Sequence, residues 1–85
     1  MTKVDFKVDM YKGRNGEYVD KLTVLIDGEE ANSFRKSDLV ILMSKDDANL
    51  KADLKRYLMS KTRGKKDEAE IIDKVIAKIQ SLTLG

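Results

Sequence analysis

The chain has 85 residues, no cysteine and no histidine, and its formal net charge is +2. This length predicts one domain, residues 1–85, with a small core that a second copy of the chain would help to stabilise, so we expect a homodimer. The absence of cysteine excludes disulfides and thiolate metal sites, and the absence of histidine removes the usual general base and imidazole ligand. We therefore expect a non-enzymatic protein that uses no cofactor and no metal.

The N-terminal residues alternate charged and apolar side chains and do not build the apolar run of a signal peptide. The longest apolar run, residues 39–43, is too short to cross a bilayer. We expect no contact with a membrane and a cytoplasmic location.

Residues 3–34 predict a β-hairpin region of two or three antiparallel strands. Strict alternation over residues 3–10 places four apolar residues on one strand face: Val4, Phe6, Val8 and Met10. Asn15-Gly16 indicates a hairpin turn, and the return strand over about residues 17–26 assigns four residues to the core: Tyr18, Leu22, Val24 and Ile26. Val19 and Leu25 fall on the other face. After the turn at Asp27-Gly28, residues 29–34 are compatible with an acidic edge strand.

Residues 38–84 predict a helical region. The apolar run Leu39–Met43 suits a buried strand or a buried helical turn, and we assign it to a helix capped by Ser37 or Asp38. Ser44, with Asp47 three residues later, favours a restart of the helix at that point. Asp47 also lies one turn before Lys51, a favourable order for an ion pair.

The remaining pattern predicts two amphipathic helices joined by a basic loop, residues 61–66. The first has an apolar stripe made of Leu50, Leu54, Tyr57 and Leu58. Gly64 ends it, and Asp67 caps the second. The second helix has the cleanest stripe of the chain: Ile71, Ile72, Val75, Ile76, Ile79 and Leu82. The predicted fold class is therefore α+β, an N-terminal antiparallel β-hairpin of two to three strands packed against a C-terminal helical hairpin.

Positive charge is concentrated in the middle of the chain. Residues 34–66 hold ten Lys or Arg against four Asp or Glu, whereas both flanking segments are net acidic. Seven basic residues in the segment 51–66 are the candidate binding residues: Lys51, Lys55, Arg56, Lys61, Arg63, Lys65 and Lys66. Three interpretations remain open, namely a solvated surface, a site for the phosphate backbone of nucleic acid, and a site for an acidic protein surface.

Other motifs fit structural roles better than catalysis. Asp46 and Asp47 at a helix start favour capping over metal binding. The segment 13–16 lacks the Gly-Lys-Ser/Thr ending of a phosphate-binding loop and is better explained as a hairpin turn.

Apolar residues exceed what one small core evidently needs. The surplus comprises residues 39–43 with Val19, Leu25, Phe34 and Leu84. Ordinary core packing is one explanation, and a face for self-association or partner binding is the other. An open hairpin edge would offer a further route, the addition of a strand.

These features predict a small interaction module that binds a macromolecular partner, of the regulator or inhibitor type. The basic helix and loop around residues 55–66 and the hairpin edge would contact a protein partner. The alternative is a nucleic-acid-binding protein that contacts phosphates through Lys51–Lys66, and a third hypothesis is a purely structural subunit. The compact size is also typical of regulators carried by mobile elements.

Overall fold

The computed structural model describes residues 2–82. Three strands come first: β1 (Val4–Gly13), β2 (Gly16–Ile26) and β3 (Glu29–Arg35). Four helices follow: α1 (Lys36–Met43), α2 (Asp47–Tyr57), α3 (Met59–Thr62) and α4 (Glu68–Gln80). The strands form one antiparallel sheet in the order β1-β2-β3. The predicted α+β fold, with strands first and helices after them, is confirmed.

A β-bulge in the first hairpin changes which residues of β2 face the core. The register of β1 and β2 shifts at Asp20, which is an extra residue in β2. A bulge reverses the alternation of side chains beyond it. Val19 is consequently buried with the core, whereas Tyr18 packs against Tyr11 with the ring centroids 5.7 Å apart. The assignment of Tyr18 to the core and of Val19 to the other face is therefore wrong.

All helices pack on one face of the sheet. That face contributes five fully buried apolar residues: Val19, Leu22, Val24, Ile26 and Phe34. The helices contribute ten more: Leu39, Leu42, Leu50, Leu54, Leu58, Ile71, Ile72, Val75, Ile76 and Ile79. The stripes predicted for α2 and α4 are confirmed with one exception, since Tyr57 remains 40% exposed. Leu82 is half-buried against the core, and Leu84 lies outside the described residues.

The ambiguous run at residues 39–43 is helical. α1 begins at Lys36, three residues before the predicted start, because the Asp38 carboxylate accepts a 3.2 Å hydrogen bond from the N–H of Arg35 and closes the first turn. The chain leaves the helix at Ser44 and restarts at α2, as predicted. The cap of α2 is Asp46, whose carboxylate accepts from the Asn49 N–H at 2.8 Å, and not Ser44.

The connection between α2 and α4 contains the short helix α3, so the predicted loop 61–66 is partly helical. Gly64 has a φ of +80°, a conformation that suits glycine at the end of a helix. Asp67 stands at the N-cap position of α4, but its carboxylate accepts from the N–H and hydroxyl of Thr2, at 3.2 and 3.0 Å. The prediction that this side chain caps the helix is wrong, because the carboxylate joins the start of the sheet to α4 instead.

No helix within residues 2–82 is long and apolar enough to cross a membrane.

The orientation of α1 gives a direct test of this packing. Leu42 is 3% exposed and its neighbour Ile41 is 58% exposed. We expect Leu42→Ala to lower the free energy of unfolding by about 2–5 kcal/mol, since it leaves a cavity. We expect Ile41→Ala to change it by less than about 1 kcal/mol. Urea denaturation of both variants measures this difference, and equal losses would contradict the orientation.

Candidate functional site

The seven candidate basic residues are spread over several sides of the helical layer. Lys51 and Lys55 on α2 face α4, where Lys51 lies 4.0 Å from the Asp73 carboxylate and Lys55 lies 3.6 Å from Glu68. Lys51 also pairs with Asp47 at 3.2 Å, as the spacing predicts, and this carboxylate raises the pKa of Lys51. Two of the seven charges are thus opposed by acidic residues of α2 and α4.

Two further cations bind the turn between β2 and β3. Lys61 lies 2.5 Å from the Glu29 carboxylate, and Lys65 lies 3.1 Å from that of Asp27. The hydrogen bond from Lys61 lowers the pKa of Glu29. The backbone N–H of Lys3, followed by the ammonium of Lys65, lowers the pKa of Asp27. These ion pairs hold the basic segment between α2 and α4 against the sheet.

Arg56 is the fifth paired cation. Its guanidinium lies 3.2 Å from the Asp53 carboxylate and 5.3 Å from the centre of the Tyr57 ring. Arg63 and Lys66 are exposed and have no carboxylate within 4.0 Å among residues 2–82. The sequence pattern brought seven positive charges together along the chain, but the fold supplies acidic partners to five of them.

A second surface combines exposed apolar side chains on the outer side of α1. Val40 is 49%, Ile41 58% and Met43 41% exposed, although all three belong to the longest apolar run of the chain. Leu39 and Leu42 alone carry the contact of this run with the core. We call Val40, Ile41 and Met43 the α1 surface. Of the apolar surplus noted in the sequence, this part is not used by the core.

A cavity of about 220 Å³ adjoins the α1 surface. Its apolar lining comes from Ile41, Leu42, Phe34 and Tyr57, and the rings of the last two lie edge to face, 5.9 Å apart. Its polar lining comes from Asn32, Ser33, Asp38, Lys45 and Asp53. Ligand pockets usually measure about 300–1,000 Å³. The cavity is below this range.

An ion pair borders this cavity. The Lys45 ammonium, in the link between α1 and α2, contacts the Asp53 carboxylate, which is only 13% exposed. The hydrogen bond from Lys45 lowers the pKa of Asp53. This pair holds the link against α2 and gives the cavity a polar margin.

The outer edge of β3 is closed by side chains. The Asn32 side-chain oxygen accepts from the N–H of Ser33 at 2.8 Å, and Asp38 accepts from that of Arg35. The Asn32 amide nitrogen also donates to the Tyr57 carbonyl at 3.0 Å, which ties β3 to α2. A strand adding to this edge would have to displace these contacts, so β3 is a poor site for strand addition.

Sequence reasoning did not identify the cavity, Lys45 or Asn32. These residues lie far apart along the chain and meet only in the fold. The one available signal was that apolar residues occupy every position of 39–43, since a helix with one buried side does not require this.

Within residues 2–82, no three acidic side chains come together as possible metal ligands. Comparison with known proteins adds no functional information. No protein-family model matches the chain, and no significant match was found among curated proteins or solved structures.

The ion pairs predict how stability depends on pH. The folded state lowers the pKa of Asp53, so this carboxylate stabilises the fold above its unfolded pKa of about 4 and loses that contribution as the pH falls through its folded pKa. We expect Asp53→Asn to flatten the rise of the thermal midpoint between about pH 3 and pH 6. Asp20→Asn, at an exposed carboxylate with no ion pair among residues 2–82, is the control. An unchanged pH profile in Asp53→Asn would contradict the role of the Lys45 pair.

Proposed function

We propose that the protein is a small, non-catalytic interaction module that binds a protein partner through the α1 surface and its adjoining cavity. The observation that carries this proposal is the division of residues 39–43. Leu39 and Leu42 anchor the helix in the core, whereas the apolar side chains of the other three residues are 41–58% exposed. Contiguous apolar patches on soluble proteins commonly mark sites of protein contact.

The chemistry of the surface indicates what kind of partner it would accept. The cavity would take an apolar side chain between Ile41 and Tyr57, and aromatic rings such as those of Tyr57 and Phe34 favour such an anchor. Lys45 and Asp38 at the margin would contact polar groups around it. An apolar segment of a protein with a polar rim is therefore the expected partner.

Binding of nucleic acid through the basic segment is less well supported. Phosphate binding depends on positive charge that is free to replace counterions. Lys51, Lys55, Arg56, Lys61 and Lys65 have carboxylate partners, which reduce the local positive potential. Arg63 and Lys66 remain the basic residues best placed for this alternative.

Site-specific photo-crosslinking in the producing cell tests the proposal. A photoreactive phenylalanine analogue replaces Val40 in one variant and Tyr57 in another, and Asp20, in the exposed bulge of β2, is the control position. We expect both surface positions to give the same discrete protein adduct and the control position to give none. Adding Ile41→Asp should reduce the adduct at least about tenfold, because it places a charge in the apolar contact.

Other outcomes would contradict the proposal. An adduct of equal yield at Asp20 would show that contact is nonspecific, and an adduct made only of the chain itself would favour self-association. A nuclease-sensitive adduct obtained from Lys66 and not from Val40 would instead support the nucleic-acid alternative.

A further inference from the structure

The two edges of the sheet differ in their free backbone groups. At the β1 edge, the N–H of Asp27 donates to the Lys3 carbonyl at 2.8 Å, and the Asp27 carboxylate accepts from the N–H of Lys3 at 3.0 Å. The backbone N–H and C=O groups of Lys3 therefore point towards β2. In an antiparallel strand, the backbone N–H and C=O groups of successive residues point to opposite sides. Three residues of β1 therefore direct these groups to the open edge: Val4, Phe6 and Val8.

The side of β1 away from the helices carries alternating charges: Lys3, Asp5, Lys7 and Asp9. The β2 residues opposite Asp5 and Lys7 are Leu25 and Thr23, which are uncharged. Lys3 and Asp5 contact each other at 3.6 Å, with side chains 77% and 50% exposed. The charges at the centre of β1 thus have no opposite charge across the strand pair within the sheet.

We infer that β1 pairs antiparallel with β1 of a second copy, about a twofold axis at Phe6. In this register Asp5 faces Lys7 of the second copy, and Lys3 faces Asp9. Registers centred on Asp5 or Lys7 would oppose like charges, which destabilises neighbouring strands. Registers centred on Val4 or Val8 also oppose unlike charges, but they form only one such pair on each side of the axis, whereas the register centred on Phe6 forms two. The alternation of sign therefore favours the self-complementary register centred on Phe6.

Apolar burial on the helix side favours the same pairing. Val4, Phe6 and Val8 are only half-buried, whereas Leu22, Val24 and Ile26 on β2 are fully buried. The twofold axis is perpendicular to the sheet, so the helices of both copies lie on the same side. Phe6 would then contact Phe6 of the second copy, and the two sheets would form one sheet of six strands.

This inference concerns a different surface from the proposed partner site, and the two can fail separately. The first test uses sedimentation equilibrium of the full chain over about 1–500 µM. We expect the native protein to dimerise. We expect Asp5→Lys with Asp9→Lys to raise the dissociation constant about 100-fold, because every cross-axis pair becomes lysine against lysine. We expect the variant with Lys3→Asp and Lys7→Asp, measured by itself, to show the same rise in the dissociation constant of its homodimer.

Mixing the two charge variants is the decisive control. All cross-axis pairs in the mixture are again opposite in charge, so heterodimers should form with at least native affinity. Exchanging all four charges in one chain keeps self-complementarity and should preserve the homodimer. A native protein that stays monomeric at the highest concentration would overturn the inference, as would charge variants that each dimerise normally.

Engineered cysteines test the register, since the chain has none of its own. Cysteines at Asp5 in one copy and Lys7 in the other would face each other as a non-hydrogen-bonded pair. Such pairs bring Cα atoms to about 4.5 Å, within reach of a disulfide. A mixture of Asp5→Cys and Lys7→Cys should give the crosslinked heterodimer on oxidation, in excess over either crosslinked homodimer. Crosslinking of a Ser33→Cys variant with comparable yield would place the contact at β3 and overturn the inference.

Discussion

The fold depends on covering a single apolar face of a three-stranded sheet. An apolar sheet face must be buried against another element to keep it from water. The helices supply that layer, and ten of their apolar residues meet five from β2 and β3 in one core. This layer buries β2 completely on that side but leaves the apolar residues of β1 half-buried. The same helical layer also leaves Val40, Ile41 and Met43 of α1 exposed.

Charge plays a different part from burial. Exposed ion pairs typically contribute about 0–1 kcal/mol each, so the pairs of Lys55, Lys61 and Lys65 add little to stability compared with the core. Their effect is on the electrostatic potential of the surface, since they place carboxylates beside the basic segment. The basic region is less positive in the fold than along the chain. Phosphate binding by this region is therefore less well supported than protein contact through the α1 surface.

The periodic elements could be predicted because their pattern repeats over several turns, as in α4, where five residues are buried as the spacing indicates. The burial of Val19 was not predicted, because the bulge at Asp20 changes the alternation. Its one sign in the sequence is that Asp20 is charged at a position that unbroken alternation from Tyr18 to Leu22 would bury. Among the ion pairs, Lys51 with Asp47 follows from spacing along one helix, whereas Lys61 with Glu29 joins residues 32 positions apart and requires the tertiary fold. The buried and exposed sides of α1 could not be predicted from the sequence either, since five consecutive apolar residues give no contrast between its buried and exposed positions.

Amide hydrogen exchange along β1, measured by NMR at low and high protein concentration, tests most directly whether this edge is the open one. The alternation described above predicts slow exchange for Asp5, Lys7 and Asp9 at both concentrations. It predicts fast exchange for Val4, Phe6 and Val8 in dilute solution, and slow exchange once a second copy pairs with the edge. Equal exchange of all β1 amides, or concentration-dependent protection at Ser33 and Arg35 instead, would contradict the assignment of β1 as the open edge.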